Sequence, residues 1–192
     1  YISRSDGALL DMNDVASLQV LRGPQGTLFG KNTTGGALLI ETNRPTGEFE
    51  GKASVTVGNY DALDGSLVVN VPLVEDVLFT RLSLMSVTRD GYIDNLDGGT
   101  LQGKDTRALR GALHFDLGES SGLDVILNYQ KDSPPGTGFR SQVIPNLQGS
   151  LDPFVANSQR GEDLGTDREV YGLTALGDFT LNDTWSLSTI TG

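Results

Sequence analysis

The sequence predicts a mostly β chain of antiparallel strands, and three observations carry that prediction. Segments of about ten residues alternate apolar and polar side chains. Gly, Asn and Asp punctuate them at turn positions. Helix signals are scarce, the best being DMNDVASL at 11–18, where Asp11 or Asn13 is placed to cap a short helical turn.

Strands are expected near 37–43, 49–58, 62–72, 77–89, 106–117, 122–131, 170–181 and 184–191. In the last seven, one face carries only uncharged residues. Examples are Val55 and Val57, Leu67 and Val69, Leu82 and Leu84, Leu113 and Phe115, Leu127 and Tyr129, Leu173, and Leu187. The other face holds Glu50, Lys52, Asp64, Asn70, Arg81, Arg110, His114, Asp116, Asp124, Asn128, Gln130 and Asp178. A soluble β-sandwich and a membrane β-barrel both have two such faces, so periodicity alone leaves the choice open.

Loop length and aromatic placement favour the barrel. After the first gap at 59–61, the gaps alternate in length: short at 73–76, long at 90–105, short at 118–121, very long at 132–169 and short at 182–183. That is the pattern of a barrel whose long loops emerge at one end. Phe49, Phe115, Phe179 and Trp185 fall beside the short turns, and Tyr60, Tyr129 and Tyr171 beside the loops. Two such girdles mark the two water interfaces of a bilayer. Phe79 departs from the pattern by pointing inward.

Composition narrows function. The formal net charge is -11, which leaves no basic stripe for nucleic acid. There is no cysteine and only one histidine, His114, so thiolate metal sites and histidine-based triads are not expected. No catalytic residue and no cofactor is assigned. The paired acids Glu162 and Asp163 sit in the longest loop and read as a solvated face. No run of eighteen apolar residues is present, which does not bear on strands that cross a membrane. The chain starts at Tyr1 and stops within the alternating WSLSTITG, so it is expected to be an internal piece of a longer protein.

The stretch LRGPQGTLFGKNTTGG at 21–36 is dense in glycine. A phosphate loop needs G-x-x-x-x-G-K-[ST], but Gly30-Lys31 is followed by Asn32 and the residue five before Gly30 is Gln25. A flexible linker does not fit either, because Leu21, Leu28, Phe29 and the following ALLI run are apolar and call for burial. A buried, tightly turned segment is expected, in which glycine permits positive φ and close packing.

LQVLRGPQGTLFGKNTTGGALLIETNRP at 18–45 resembles the motif that ends the plug domain of TonB-dependent outer-membrane receptors. The upstream YISRSDGALLDMNDVAS resembles plug sequence, and the strands from Phe49, with RDGY at 89–92, resemble the start of that family's barrel. The resemblance implies the C-terminal part of an α+β plug at 1–48. It further implies about seven strands at 49–192, the first part of a barrel that in this family has about 22. It implies a plug-structural role for Arg22, Gly23, Pro24, Gly26, Gly30, Asn32, Gly35 and Gly36, with Arg22 paired to acidic residues of the wall. It also implies an outer-membrane location and active uptake of a scarce bulky ligand, most often an iron–siderophore complex. The TonB–ExbB–ExbD complex would drive that uptake through a segment outside this sequence. On the longest loop, Phe139, Arg140 and Gln142 are candidates for stacking and anion contact with the ligand. A passive porin would share the strands but has no use for residues 1–48. A soluble β-sandwich binding module would place a core where the polar face lies.

Overall fold

A computed structural model describes residues 14–30, 33–118, 120–138, 152–156, 161 and 164–192. Strands β1 (Val15–Arg22) and β2 (Gly36–Thr42) form an antiparallel hairpin, separated by one turn of helix, α1 (Gly26–Phe29). The helical turn expected within 11–18 is not there in the described part. From Val15 the chain is already extended, because Val15, Leu18 and Val20 pair across to β2 and the ladder outweighs the local capping signal. Gly36 shows why glycine is needed at the hairpin base. Its φ is 145°, and a Cβ there would run into the carbonyl oxygen of Leu21.

The remaining long strands are β3 (Glu50–Gly58), β4 (Ala62–Val74) and β5 (Leu78–Arg89). After two short strands, β6 (Ile93–Asn95) and β7 (Thr100–Leu101), come β8 (Lys104–Gly118) and β9 (Ser121–Asp132). The short β10 (Val155–Ala156), then β11 (Arg168–Thr180) and β12 (Ser186–Thr191), complete the chain. The long strands form one seven-stranded antiparallel sheet in the order β12-β11-β9-β8-β5-β4-β3, each beside its neighbour in sequence. The expected strands are present with small shifts. None of the shifts exceeds two residues, and the loop before β8 contains β6 and β7.

Burial in this sheet is inverted relative to a soluble protein. Along β4 and β5 the buried residues are Val68, Asn70, Arg81 and Ser83, while Leu63, Leu67 and Leu82 are exposed. Arg110, Asp124, Gln130 and Asp132 are likewise buried, against Leu127, Leu173 and Leu187 exposed. Val57 is 75% and Tyr171 82% exposed. A water-soluble sandwich buries its apolar face; here the polar face is covered and the apolar one is bare. Trp185, Phe49 and Tyr60 are also exposed, close to strand ends.

The tight turns have local causes. Tyr60 and Asp61 both adopt positive φ between β3 and β4, as a primed hairpin turn requires. Between β11 and β12 the Asn182 Oδ1 accepts hydrogen bonds from the amides of Thr184 (2.9 Å) and Trp185 (3.0 Å), an Asx turn.

Candidate functional site

The site is the seam where the chain around the β1–β2 hairpin meets the polar face of the sheet. Asp14 precedes β1 and Asn43 follows β2, so the two residues close the open end of the hairpin. The Asn43 amide donates to the Asp14 carbonyl at 3.0 Å, and its Nδ2 donates to Asp14 Oδ1 at 2.8 Å. Arg81, in the middle of β5, reaches the same carboxylate with two bonds. Its Nε donates to Oδ2 at 2.6 Å and its Nη2 to Oδ1 at 2.8 Å, while Nη1 bonds Glu50 at 3.0 Å. The parallel two-bond geometry is the strongest that a guanidinium and a carboxylate make. On β8, Arg110 Nη1 approaches the Asn43 carbonyl at 3.5 Å. The two strands of the wall thus hold both chain segments at the open end of the hairpin.

Asp14 lies outside the sheet, and its titration follows from this setting. Burial alone would raise its pKa, but the hydrogen bonds from Arg81 and Asn43 and the nearby positive charges outweigh it and hold the carboxyl below its ordinary value. A carboxyl lowered in the folded state contributes stability above its unfolded pKa, and that contribution is lost as pH falls through the folded value. The hairpin anchor is therefore expected to survive mild acid and to release only on acidification below the ordinary carboxylate range, about pH 4. Pepsin cleavage within residues 15–42 of the whole protein, followed across that acidification, reports the release.

A second anchor follows within a few residues. Asn70 on β4 is fully buried. Its Nδ2 donates to the Thr46 carbonyl (2.8 Å), Thr46 Oγ1 (3.0 Å) and the Glu48 carbonyl (2.5 Å), and its Oδ1 accepts from the Thr46 amide (3.0 Å). One side-chain amide therefore satisfies the backbone where the chain passes from hairpin to wall. Asn70→Ala strands those backbone groups and should cost about 1–3 kcal/mol. Amide exchange at Thr46 should rise while β8 and β9 keep their protection.

A third contact lies at the short-turn end. Arg44 Nη1 stands 3.7 Å from Asp124 Oδ2, whose other oxygen is 2.7 Å from His114 Nδ1, and His114 stacks on Phe79 with centroids 6.0 Å apart. Phe79 thus points to the polar side, as expected. Arg44, His114 and Asp124, with Asp116 and Asp178, line an open concavity of about 460 Å³. Toward the loop end, Asp132 accepts from Thr106 (2.8 Å), Gln130 (2.9 Å) and Arg168 Nε (3.0 Å). Among the described residues no group of three or more His, Asp or Glu is arranged to hold a metal ion.

The motif residues are placed differently from one another. Gly23 and Gly30 have φ of 84° and 74° and so need glycine, whereas Gly26 and Gly35 have open space around them and no such φ. Pro24 is exposed in the turn before α1. The expected burial of this segment is not found: Leu28 is 76% exposed and Val20 and Leu38 are exposed too. The physical reason is that the wall's bonds to the hairpin fall at Asp14 and residues 43–48, leaving its turn end out of reach of the seven strands. Arg22 is exposed at the end of β1 and forms no ion pair among the described residues. The arginine that pairs with the buried Asp14 carboxylate at the seam is Arg81, which the sequence shows only as one more charge on the polar face. Its isolation at mid-strand, with Asn70 opposite it in register, is the signal that could have found it. Asn32, Phe139, Arg140, Gln142, Glu162 and Asp163 lie outside the described residues.

A sheet with its polar face covered and its apolar face bare, and a hairpin fastened to the polar side, defines a segment of a filled membrane β-barrel. The chain is similar to the pesticin receptor of Yersinia pestis, 31% identical over 182 residues, which is 88% of this chain and 27% of that protein. It is also 25% identical over 190 residues to a probable TonB-dependent siderophore receptor of Acinetobacter baumannii, covering 93% of this chain and 25% of the relative. The solved structure of the ferric yersiniabactin uptake receptor from Yersinia pestis matches 92% of this chain and 28% of its own, with a TM-score of 0.74 at 22% identity. No family model matches the chain. The chain belongs to the TonB-dependent receptors and spans about a quarter of the length of these relatives.

Proposed function

We propose that this chain is part of an outer-membrane importer that takes up an iron–siderophore complex, drawing on the TonB–ExbB–ExbD complex for energy. In this reading residues 1–48 are the C-terminal part of the plug. Residues 49–192 are the first part of the barrel, with lipid against the apolar face. The observation that carries it is the bidentate Arg81–Asp14 pair with the Asn70 anchor, which fastens the β1–β2 hairpin to the polar face of the wall. A passive porin gains nothing from such an attachment, since it fills the passage. Relatives named as receptors for siderophores and for a ferric complex support the substrate class, and nothing in their names points to catalysis. On the longest connection Phe139, Arg140 and Gln142 are proposed to meet the ligand by stacking and by binding an anionic group. The plug motif, Arg22 to Gly36 with Asn32 between, is proposed to shape the plug rather than touch the ligand.

The test uses the whole protein in a Gram-negative host lacking its own receptors. Ferric yersiniabactin and ferripyoverdine carrying radiolabelled iron serve as probes. Uptake of one of them that requires TonB supports the reading. Uptake that persists without TonB would identify a passive channel, and failure to bind any iron complex would overturn the substrate class.

A further inference from the structure

The two long connections of the sheet are bonded to each other. The short strand β10, from the connection after β9, lies parallel to β6, from the connection after β5, with Val155 beside Asp94 and Ala156 beside Asn95. The amide of Asp94 donates to the Phe154 carbonyl at 2.7 Å, and that of Leu96 to the Ala156 carbonyl at 3.0 Å. Asn95, itself buried, bridges both connections through one Nδ2, to the carbonyls of Gly98 (2.9 Å) and Gly161 (3.0 Å). Nearer the sheet, the Gln102 amide donates to the Gly136 carbonyl at 2.8 Å. Packing closes the remaining space. A Cβ on Gly103 would come 2.5 Å from Pro135, one on Gly138 would come 2.8 Å from Ile93, and one on Gly91 would come 2.5 Å from the Leu101 carbonyl. Leu101 is only 2% exposed. The first connection joins them: the Asp90 amide donates to the Tyr60 carbonyl at 2.8 Å, and Tyr92 packs against Tyr60 and under Arg89.

We propose that residues 90–103 and the described parts of 133–167 move as one body, with Asn95 as its bracket. A two-residue strand pair is weak alone. Separating these connections would also cost the buried Asn95 amide its bond to the Gly161 carbonyl and the Gln102 amide its bond to Gly136, and each adds to the cost. Anything that displaces one connection therefore displaces the other. The inference does not depend on the uptake reading, since it concerns only the coupling of the two segments.

The test uses the whole protein in outer-membrane vesicles. The chain has no cysteine of its own, so pairs can be introduced cleanly. Asp94→Cys with Val155→Cys should form a disulfide on mild oxidation. Asp94→Cys with Asp183→Cys, at the opposite end of the sheet, should not. In hydrogen exchange, Asn95→Ala should speed residues 93–101 and 152–156 together, by about tenfold or more, with β5 and β8 unchanged. Acceleration confined to 93–101, or no disulfide between 94 and 155, overturns the proposal. Should Asn95→Ala fail to assemble, the disulfide pair is made with Asn95 intact and decides the matter alone.

Discussion

Replacing Arg81 by alanine is expected to release the β1–β2 hairpin from the wall while the sheet itself still assembles. The substitution leaves the Asp14 carboxylate buried with Asn43 as its remaining close partner and strips Glu50 of its guanidinium. Breaking a buried pair from one side typically costs about 3–5 kcal/mol, because the orphaned charge keeps its desolvation penalty. The measurement is amide exchange in the whole protein. Residues 15–22 and 36–42 should lose protection, and β4, β5 and β8 should keep it. The exchanged pair, Asp14→Arg with Arg81→Asp, should recover part of the loss. If Arg81→Ala left the hairpin as protected as before, the seam would not hold it.

The second large effect separates the two faces at adjacent positions of one strand. Leu127 is 47% exposed on the apolar face of β9, and Asn128 is exposed on the polar face. Leu127→Arg is expected to impair membrane assembly by roughly 2–4 kcal/mol, the cost of a cation near the bilayer midplane. Asn128→Arg should assemble normally, which heat-modifiable migration of the folded barrel reports. The reverse result would turn the sheet inside out. The choice of Asn128 matters. Ala112, also on the polar face, is buried beside Ile40 and Thr42 of the hairpin. An arginine there would collide with the hairpin and fail for a reason unrelated to lipid.

The wall was legible in the sequence because strand alternation and turn residues are local signals. Each strand carries its own pattern, and a shift of one residue would put Leu67 or Leu82 among charges. The seam was not legible. Asp14 and Arg81 are 67 residues apart, and nothing near either one reports the other. Asn70 looked like any polar wall residue, although it holds four hydrogen bonds to the incoming chain. The helical turn expected before residue 18 failed for the same reason in reverse, since a local cap signal lost to pairing with a strand more than twenty residues away. The long connections were read as plain loops because β6, β7 and β10 are two or three residues each, too short to show a period.

The strictly sequential strand order has a consequence for how the molecule is made. Four of the six ladders in the large sheet join strands separated by no more than five residues, so those hairpins can form from a short stretch of chain as soon as that stretch is available. Contacts between nearby residues form quickly, whereas those that close long loops wait. The bonds from Arg81 to Asp14 and from Arg110 to Asn43 each close a span of 67 residues. They cannot exist until β5 and β8 are in register. The hairpin, synthesised before every strand of the wall, is therefore expected to be the last part of this chain to settle.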